Sequence, residues 1–155
     1  PNLTVMDVRA RARRIKQQQG DLGVIIVDYL QLMSSRGKAE NRQVEVSEMS
    51  RSLKILAREL QCPVIALSQL SRRNQDRADK KPILSDLRES GSLEQDADVV
   101  IFIHRADETE QVSMDKKAEA EIVVAKNRSG PAKSIFLSWI GEYTVFRNNR
   151  EEDPI

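Results

Sequence analysis

The sequence predicts an α/β fold on three observations. First, the runs 22–27 (LGVIIV), 64–67 (VIAL) and 99–103 (VVIFI) are apolar almost throughout and rich in β-branched residues. Strands covered on both faces of a parallel sheet read this way. Second, a helical pattern separates the first two runs. Val46, Met49, Leu53, Leu56, Ala57 and Leu60 recur at three- and four-residue spacing, with Glu45, Glu48, Arg51, Lys54 and Arg58 facing outward. Third, runs 121–125 (EIVVA) and 134–139 (SIFLSW) flank the turn sequence Asn127-Arg-Ser-Gly-Pro131, which predicts a β-hairpin. Strands separated by helices, then a hairpin, give a mainly parallel sheet flanked by helices with an antiparallel edge.

The elements follow in order. Thr4 with Asp7 three residues on forms a capping box: the hydroxyl takes the Asp7 N–H and the carboxylate reaches back. Val5, Val8, Ala12 and Ile15 then make one buried stripe, and Gly20 ends the helix. Arg9, Arg11, Arg13, Arg14 and Lys16 cover the other faces. They read as a solvated outer surface, with phosphate contact as the alternative. Residues 34–41 are a polar loop. Residues 71–82 are a basic one, where Arg72, Arg73, Arg77, Lys80 and Lys81 are set against Asp76 and Asp79. Ser92-Leu-Glu-Gln95 reads as a second, short capping box, residues 107–117 as an acidic loop, and 143–146 as a final edge strand. Residues 1–148 make one domain and 149–155 a polar tail, which suits a 155-residue chain.

Composition narrows the function. Basic residues number 25 and acidic residues 24, a net charge of +1, so any nucleic-acid surface must be local. Cys62 is the single cysteine, which excludes an internal disulfide and a cysteine-cluster metal site and leaves it as a small core residue. His104 is the single histidine, without a partner histidine or cysteine for a metal, and reads as a packing or hydrogen-bonding residue. A spanning helix needs about 20 apolar residues, and the longest uninterrupted run is the five-residue 99–103. No signal segment opens the chain. A soluble, cytoplasmic protein is expected.

Three local patterns carry chemistry. Asp28 closes the first apolar run, and in open α/β sheets ligands sit beyond the carboxyl ends of the strands. A carboxylate there can hold the water shell of Mg²⁺ on a nucleoside triphosphate, although apolar strands ending in aspartate are common. Ser68 and Gln69 end the next strand at the same sheet edge, where an amide can sense a γ-phosphate or orient water; a polar strand end is the plainer reading. Lys126 and Arg128 lie two residues apart at the hairpin tip, on one side if the strand continues that far. They suit a phosphate held by another subunit, in the manner of an arginine finger, or else a solvated turn.

Five stretches together resemble the C-terminal RecA-like ATPase domain of bacterial replicative DNA helicases of the DnaB family. They are Val24-Ile-Ile-Val-Asp-Tyr-Leu-Gln-Leu32; Ser50-Arg-Ser-Leu-Lys54 with Leu56-Ala-Arg-Glu-Leu60; Pro63-Val-Ile-Ala-Leu-Ser-Gln-Leu-Ser-Arg72; Ser85-Asp-Leu-Arg-Glu-Ser-Gly-Ser-Leu-Glu-Gln-Asp-Ala-Asp98; and Ala125-Lys-Asn-Arg-Ser-Gly-Pro131. They occur in family order. The resemblance implies a RecA-like P-loop NTPase fold and an ATP- and Mg²⁺-dependent motor. Such motors move 5′ to 3′ on single-stranded DNA as a hexameric ring and work with primase and a helicase loader, with no membrane. By resemblance, Asp28 is the Walker-B aspartate, Gln69 the phosphate-sensing glutamine, and Lys126 and Arg128 the basic pair supplied in trans. Arg88, Glu89 and Gly91 match the loop that holds single-stranded DNA.

The chain also departs from the family. It has no G-x-x-x-x-G-K-[ST] loop, the family's catalytic glutamate lies upstream, and the primase-docking helical domain is absent. The expectation is therefore the C-terminal portion of one ATPase domain, with first strands and P-loop missing and no activity alone. A RecA-like recombination or repair ATPase shares the strand-Asp and strand-Gln layout but not the Arg88-Glu-Ser-Gly run with Glu94-Gln-Asp-Ala-Asp98. An oligomerisation module is the non-enzymatic alternative.

Overall fold

A computed structural model describes residues 3–34, 41–70, 81–90, 92–105 and 118–149. Most of the expected loops at 34–41 and 71–82, all of the one at 107–117, and the tail beyond 149 lie outside the described residues. The chain divides into two compact units, Pro1–Ala78 with Leu84–Ala97, and Asp79–Ile83 with Asp98–Ile155.

The first unit begins with helix α1, Val5–Gln19, on the expected capping box: Thr4 Oγ1 accepts from the Asp7 N–H at 3.3 Å, and the Asp7 carboxylate accepts from the Thr4 N–H at 3.0 Å. Gly20, at φ 84°, ends it. Strand β1, Ile25–Val27, leads into a short 3₁₀ helix, Leu30–Leu32. Helix α2, Arg42–Leu60, follows, capped where Asn41 Oδ1 accepts the Val44 N–H at 3.0 Å. Strand β2, Val64–Ala66, pairs parallel to β1 with Ile26 opposite Ile65. A 3₁₀ helix, Leu84–Ser90, and helix α3, Leu93–Asp96, lie against α2. The core joins Ala12, Val27, Leu30, Met33, Val46, Met49, Leu53, Leu56, Leu60 and Cys62, so the amphipathic stripe of α2 is buried as its spacing requires.

Several details depart from the sequence reading. Ile15 is exposed, and the basic residues of α1 do more than face solvent: Arg9 and Arg13 pair with Glu59, and Lys16 Nζ donates to the Leu60 carbonyl at 2.5 Å. These contacts clasp α1 to the end of α2, and the two guanidinium groups hold the Glu59 carboxyl below its ordinary range. The second capping box does not form. The Ser92 hydroxyl donates instead to the Asp96 carboxylate at 2.8 Å, and the Ser92 N–H to Ser47 Oγ at 3.2 Å. Only one face of the parallel pair is covered among the described residues, and Ile26 is 63% and Ile65 51% exposed on the other.

The second unit is an antiparallel meander of β3, Val99–Arg105, β4, Ala118–Asn127, β5, Lys133–Ile140, and β6, Val145–Asn148. The expected hairpin is β4–β5, and the final strand is β6. Run 99–103, expected as a third parallel strand, instead pairs antiparallel with β4. An apolar run reports burial but not strand direction. In β3 the burial alternates, with Val100 and Phe102 covered and Ile101 and Ile103 exposed. Val100 opposes Lys126 and Ile101 opposes Val124, leaving Ala125 unpaired in a β-bulge. In the β4–β5 turn Asn127 Oδ1 accepts the Ser129 N–H at 3.1 Å, and a Cβ on Gly130 would lie 2.9 Å from Asn127 Nδ2. Elsewhere Trp139 packs on Phe146, ring centroids 4.7 Å apart, beneath the Arg105 guanidinium at 5.5 Å.

Candidate functional site

Parallel pairing brings the carboxyl ends of β1 and β2 to one edge, and the sequence puts its polar residues there. Asp28 follows β1 directly and is exposed; Ser68 and Gln69 follow β2. The backbone pairing runs on past both strands: the Leu67 N–H donates to the Val27 carbonyl at 2.9 Å, and the Leu30 N–H to the Leu67 carbonyl at 3.0 Å. Asp28 and Tyr29 thus occupy the step between two bonded positions, opposite Leu67. The expectation that Asp28 and Gln69 stand at the same sheet edge holds.

Two residues that the sequence reading passed over organise this edge. The Gln31 side-chain amide donates to Ser68 Oγ at 3.0 Å and to the Gln69 carbonyl at 3.1 Å, and accepts the Gln69 N–H at 3.3 Å. Arg42, at the start of α2, donates to the Gln31 carbonyl at 2.8 Å and the Met33 carbonyl at 3.3 Å, and pairs with Glu45. Gln31 lies in the first family-like stretch, but residue type alone does not reveal a cross-strand partner.

No group of three or more His, Cys, Asp or Glu side chains suited to a metal exists among the described residues. A solitary exposed carboxylate fits Mg²⁺ all the same. That ion keeps several waters and takes one or two carboxylates together with substrate phosphates.

The cationic pair of the second unit is arranged differently from the expectation. Strand β4 ends at Asn127, so Lys126 is its penultimate residue and Arg128 stands on the turn; alternation along one strand does not relate them. Arg128 is held by Asp98 at both ends: its backbone N–H donates to the Asp98 carbonyl at 2.9 Å, and its guanidinium lies 3.6 Å from the Asp98 carboxylate. His104 is half-buried opposite Glu121. The Glu121 carboxyl is held below its ordinary range by its bond from Lys81 Nζ at 2.5 Å, and by Ser134. Arg88 and Glu89 lie on the 3₁₀ helix Leu84–Ser90, and Gly91 lies outside the described residues.

Parallel strands backed by the buried face of α2, with a carboxylate and an amide at their carboxyl ends, define an α/β domain of the class whose ligands bind at strand ends. The family is more specific: residues 1–148 match the DnaB-like helicase C terminal domain, and the chain belongs to that family. It is 55% identical over 149 residues to the replicative DNA helicase DnaB of Geobacillus stearothermophilus, covering 96% of this chain and 32% of that protein. It is 52% identical over 149 residues to the replicative DNA helicase DnaC of Bacillus subtilis (strain 168), again covering 96% of this chain and 32% of that protein. The chain thus spans about a third of the length of these curated relatives. Among solved structures, a DnaB-like replicative helicase described with its interactions with primase superposes with a TM-score of 0.88 at 42% identity, over 96% of this chain and 36% of that one. A second solved structure, described as an ATPase domain, gives 0.87 at 42% identity, over 96% of this chain and 52% of that one. The α/β, RecA-like fold expected from the sequence is the fold of these helicase ATPase domains.

Proposed function

We propose that this chain is part of the motor of a replicative DNA helicase. The whole protein hydrolyses ATP with Mg²⁺ and moves 5′ to 3′ along single-stranded DNA as a hexameric ring, unwinding duplex at the fork. Asp28 holds the hydrated ion and Gln69 senses the terminal phosphate. Lys126 and Arg128 reach the nucleotide of the neighbouring subunit, where a guanidinium stabilises charge developing during phosphoryl transfer. Bound Mg²⁺ supplies neutralisation of the phosphate oxygens. Arg88, Glu89 and Gly91 grip the DNA backbone without reading bases, so a chain of net charge +1 needs only a few contacts per subunit.

One observation carries this reading: Asp28 and Gln69 follow adjacent parallel strands at the same sheet end. Family membership supports the rest. Primase, which figures in the description of a related helicase, and a helicase loader are the expected partners, in the nucleoid-associated cytoplasm. These 155 residues contain no G-x-x-x-x-G-K-[ST] loop, so alone they are expected to turn over no ATP. The test is Asp28→Asn in the intact protein. The amide removes the charge that holds the ion, so hydrolysis is lost while the circular dichroism melt and ring assembly stay as in the parent. Normal turnover removes Asp28 from the site.

A further inference from the structure

Past Leu67, β2 has run out of partner backbone, because the chain after β1 has turned into the 3₁₀ helix Leu30–Leu32. The ladder nevertheless continues one step. A primary amide carries the same donor and acceptor as a peptide group, and the Gln31 side chain presents both to Gln69, accepting its N–H and donating to its carbonyl. The same nitrogen also reaches Ser68 Oγ. All three contacts are to the backbone of Gln69 and the hydroxyl of Ser68, so the side chain of Gln69 is not consumed by them.

Gln31 is itself fixed. Leu30 is fully buried and Met33 nearly so, on either side of Gln31, and Arg42 binds the Gln31 and Met33 carbonyls from α2. Gln69 is therefore tied, through one side chain, to the segment that begins at Asp28. We infer that Gln31 is a positioning residue: its amide fixes the Gln69 backbone and so the direction from which Gln69 meets the terminal phosphate of a bound nucleoside triphosphate. This rests on the reading of Gln69 given above. Displacing a reacting group by about 1 Å costs on the order of 10²-fold in rate, and nothing else about nucleotide binding need change.

The experiment compares Gln31→Ala, Gln31→Glu, Gln69→Ala and the double variant Gln31→Ala/Gln69→Ala in the intact protein. It measures kcat and KM for ATP with and without single-stranded DNA, beside melting temperature and ring assembly. Gln31→Glu keeps the size of the side chain but loses both N–H donors and sets a carboxylate against the Gln69 carbonyl. Both Gln31 variants are expected to lower kcat by about 10- to 100-fold, with KM within about twofold. The double variant should be no slower than Gln69→Ala, because the two residues act as one unit. Parental kcat in Gln31→Glu, or effects that multiply in the double variant, overturns the positioning role while leaving Gln69 in place. Loss of activity matched by loss of melting temperature or assembly in both Gln31 variants also overturns it, in favour of a structural bond. Parental kcat in Gln69→Ala overturns the Gln69 reading and takes the positioning role with it.

Discussion

In the first unit one cluster of apolar side chains runs from Ala12 through Leu30, Met49 and Leu56 to Cys62. Among its described residues the second unit buries Val100, Phe102 and Ala120 but leaves Phe136 41%, Tyr143 66% and Phe146 39% exposed, and four strands hold it through their backbone ladders. On the function proposed above, the difference follows the work asked of each. Two strand ends that present Asp28 and Gln69 to one nucleotide would need a rigid backing, and the buried face of α2 supplies it. A strand end and turn that offer Lys126 and Arg128 to a neighbouring subunit would need only a stiff hairpin and a tether, which Asp98 supplies.

The largest effect that distinguishes the units is kinetic. Arg128→Ala in the intact protein is expected to slow ATP hydrolysis by roughly 10³–10⁵, as for fingers supplied in trans. Nucleotide affinity, measured by fluorescence titration, should hardly move. Unchanged turnover would leave the hairpin tip a solvated turn.

Next comes stability. Leu56 is 1% exposed, so Leu56→Ala leaves a cavity and should cost about 2–5 kcal/mol in denaturant unfolding of the intact protein. Tyr143, 66% exposed, should lose within about 0.5 kcal/mol on change to alanine. Equal losses at the two positions would erase the contrast between the units.

The smallest effect is acid sensitivity. Glu59 in the first unit and Glu121 in the second both have carboxyls held below the ordinary value of 4.5, Glu59 chiefly by Arg9 and Glu121 chiefly by Lys81. A depressed carboxylate contributes stability that is complete above the unfolded value. That contribution falls as pH drops below 4.5 and is gone below the lowered folded value. Both pairs are solvent-accessible, so each contribution is modest. Lys81→Ala should flatten the part of the melting-temperature profile below pH 4.5 that belongs to Glu121, and Arg9→Ala the part that belongs to Glu59. A profile unchanged by either substitution would show that neither pair contributes.

Much of this was legible in the sequence because it is local. The Thr4–Asp7 box, the stripe of α2, the Gly20 stop and the hairpin turn at Asn127 each depend on residues a few positions apart. The placement of Asp28 and Gln69 at one sheet end was legible because each follows an apolar run. The antiparallel partner of β3 was not, since run 99–103 is equally apolar for either direction and the choice belongs to β4. The grip of Gln31 on Gln69 joins residues 38 positions apart, and the tether of Arg128 to Asp98 likewise joins residues distant in sequence. Arg9 and Arg13 read as solvated because their partner, Glu59, lies on another helix.

On the proposed function, the strand-end residues serve a subunit's own nucleotide while the hairpin tip serves its neighbour's. Mixing Asp28→Asn subunits with Arg128→Ala subunits of the intact protein tests it directly, with ATP turnover followed across mixing ratios. Some interfaces then join an intact Asp28 to an intact Arg128 from the adjacent subunit. Turnover absent from either variant alone is expected to return in the mixture and to peak near equal proportions. Mixed rings that form, as shown by co-purification of differently tagged subunits, yet hydrolyse no ATP at any ratio would contradict it.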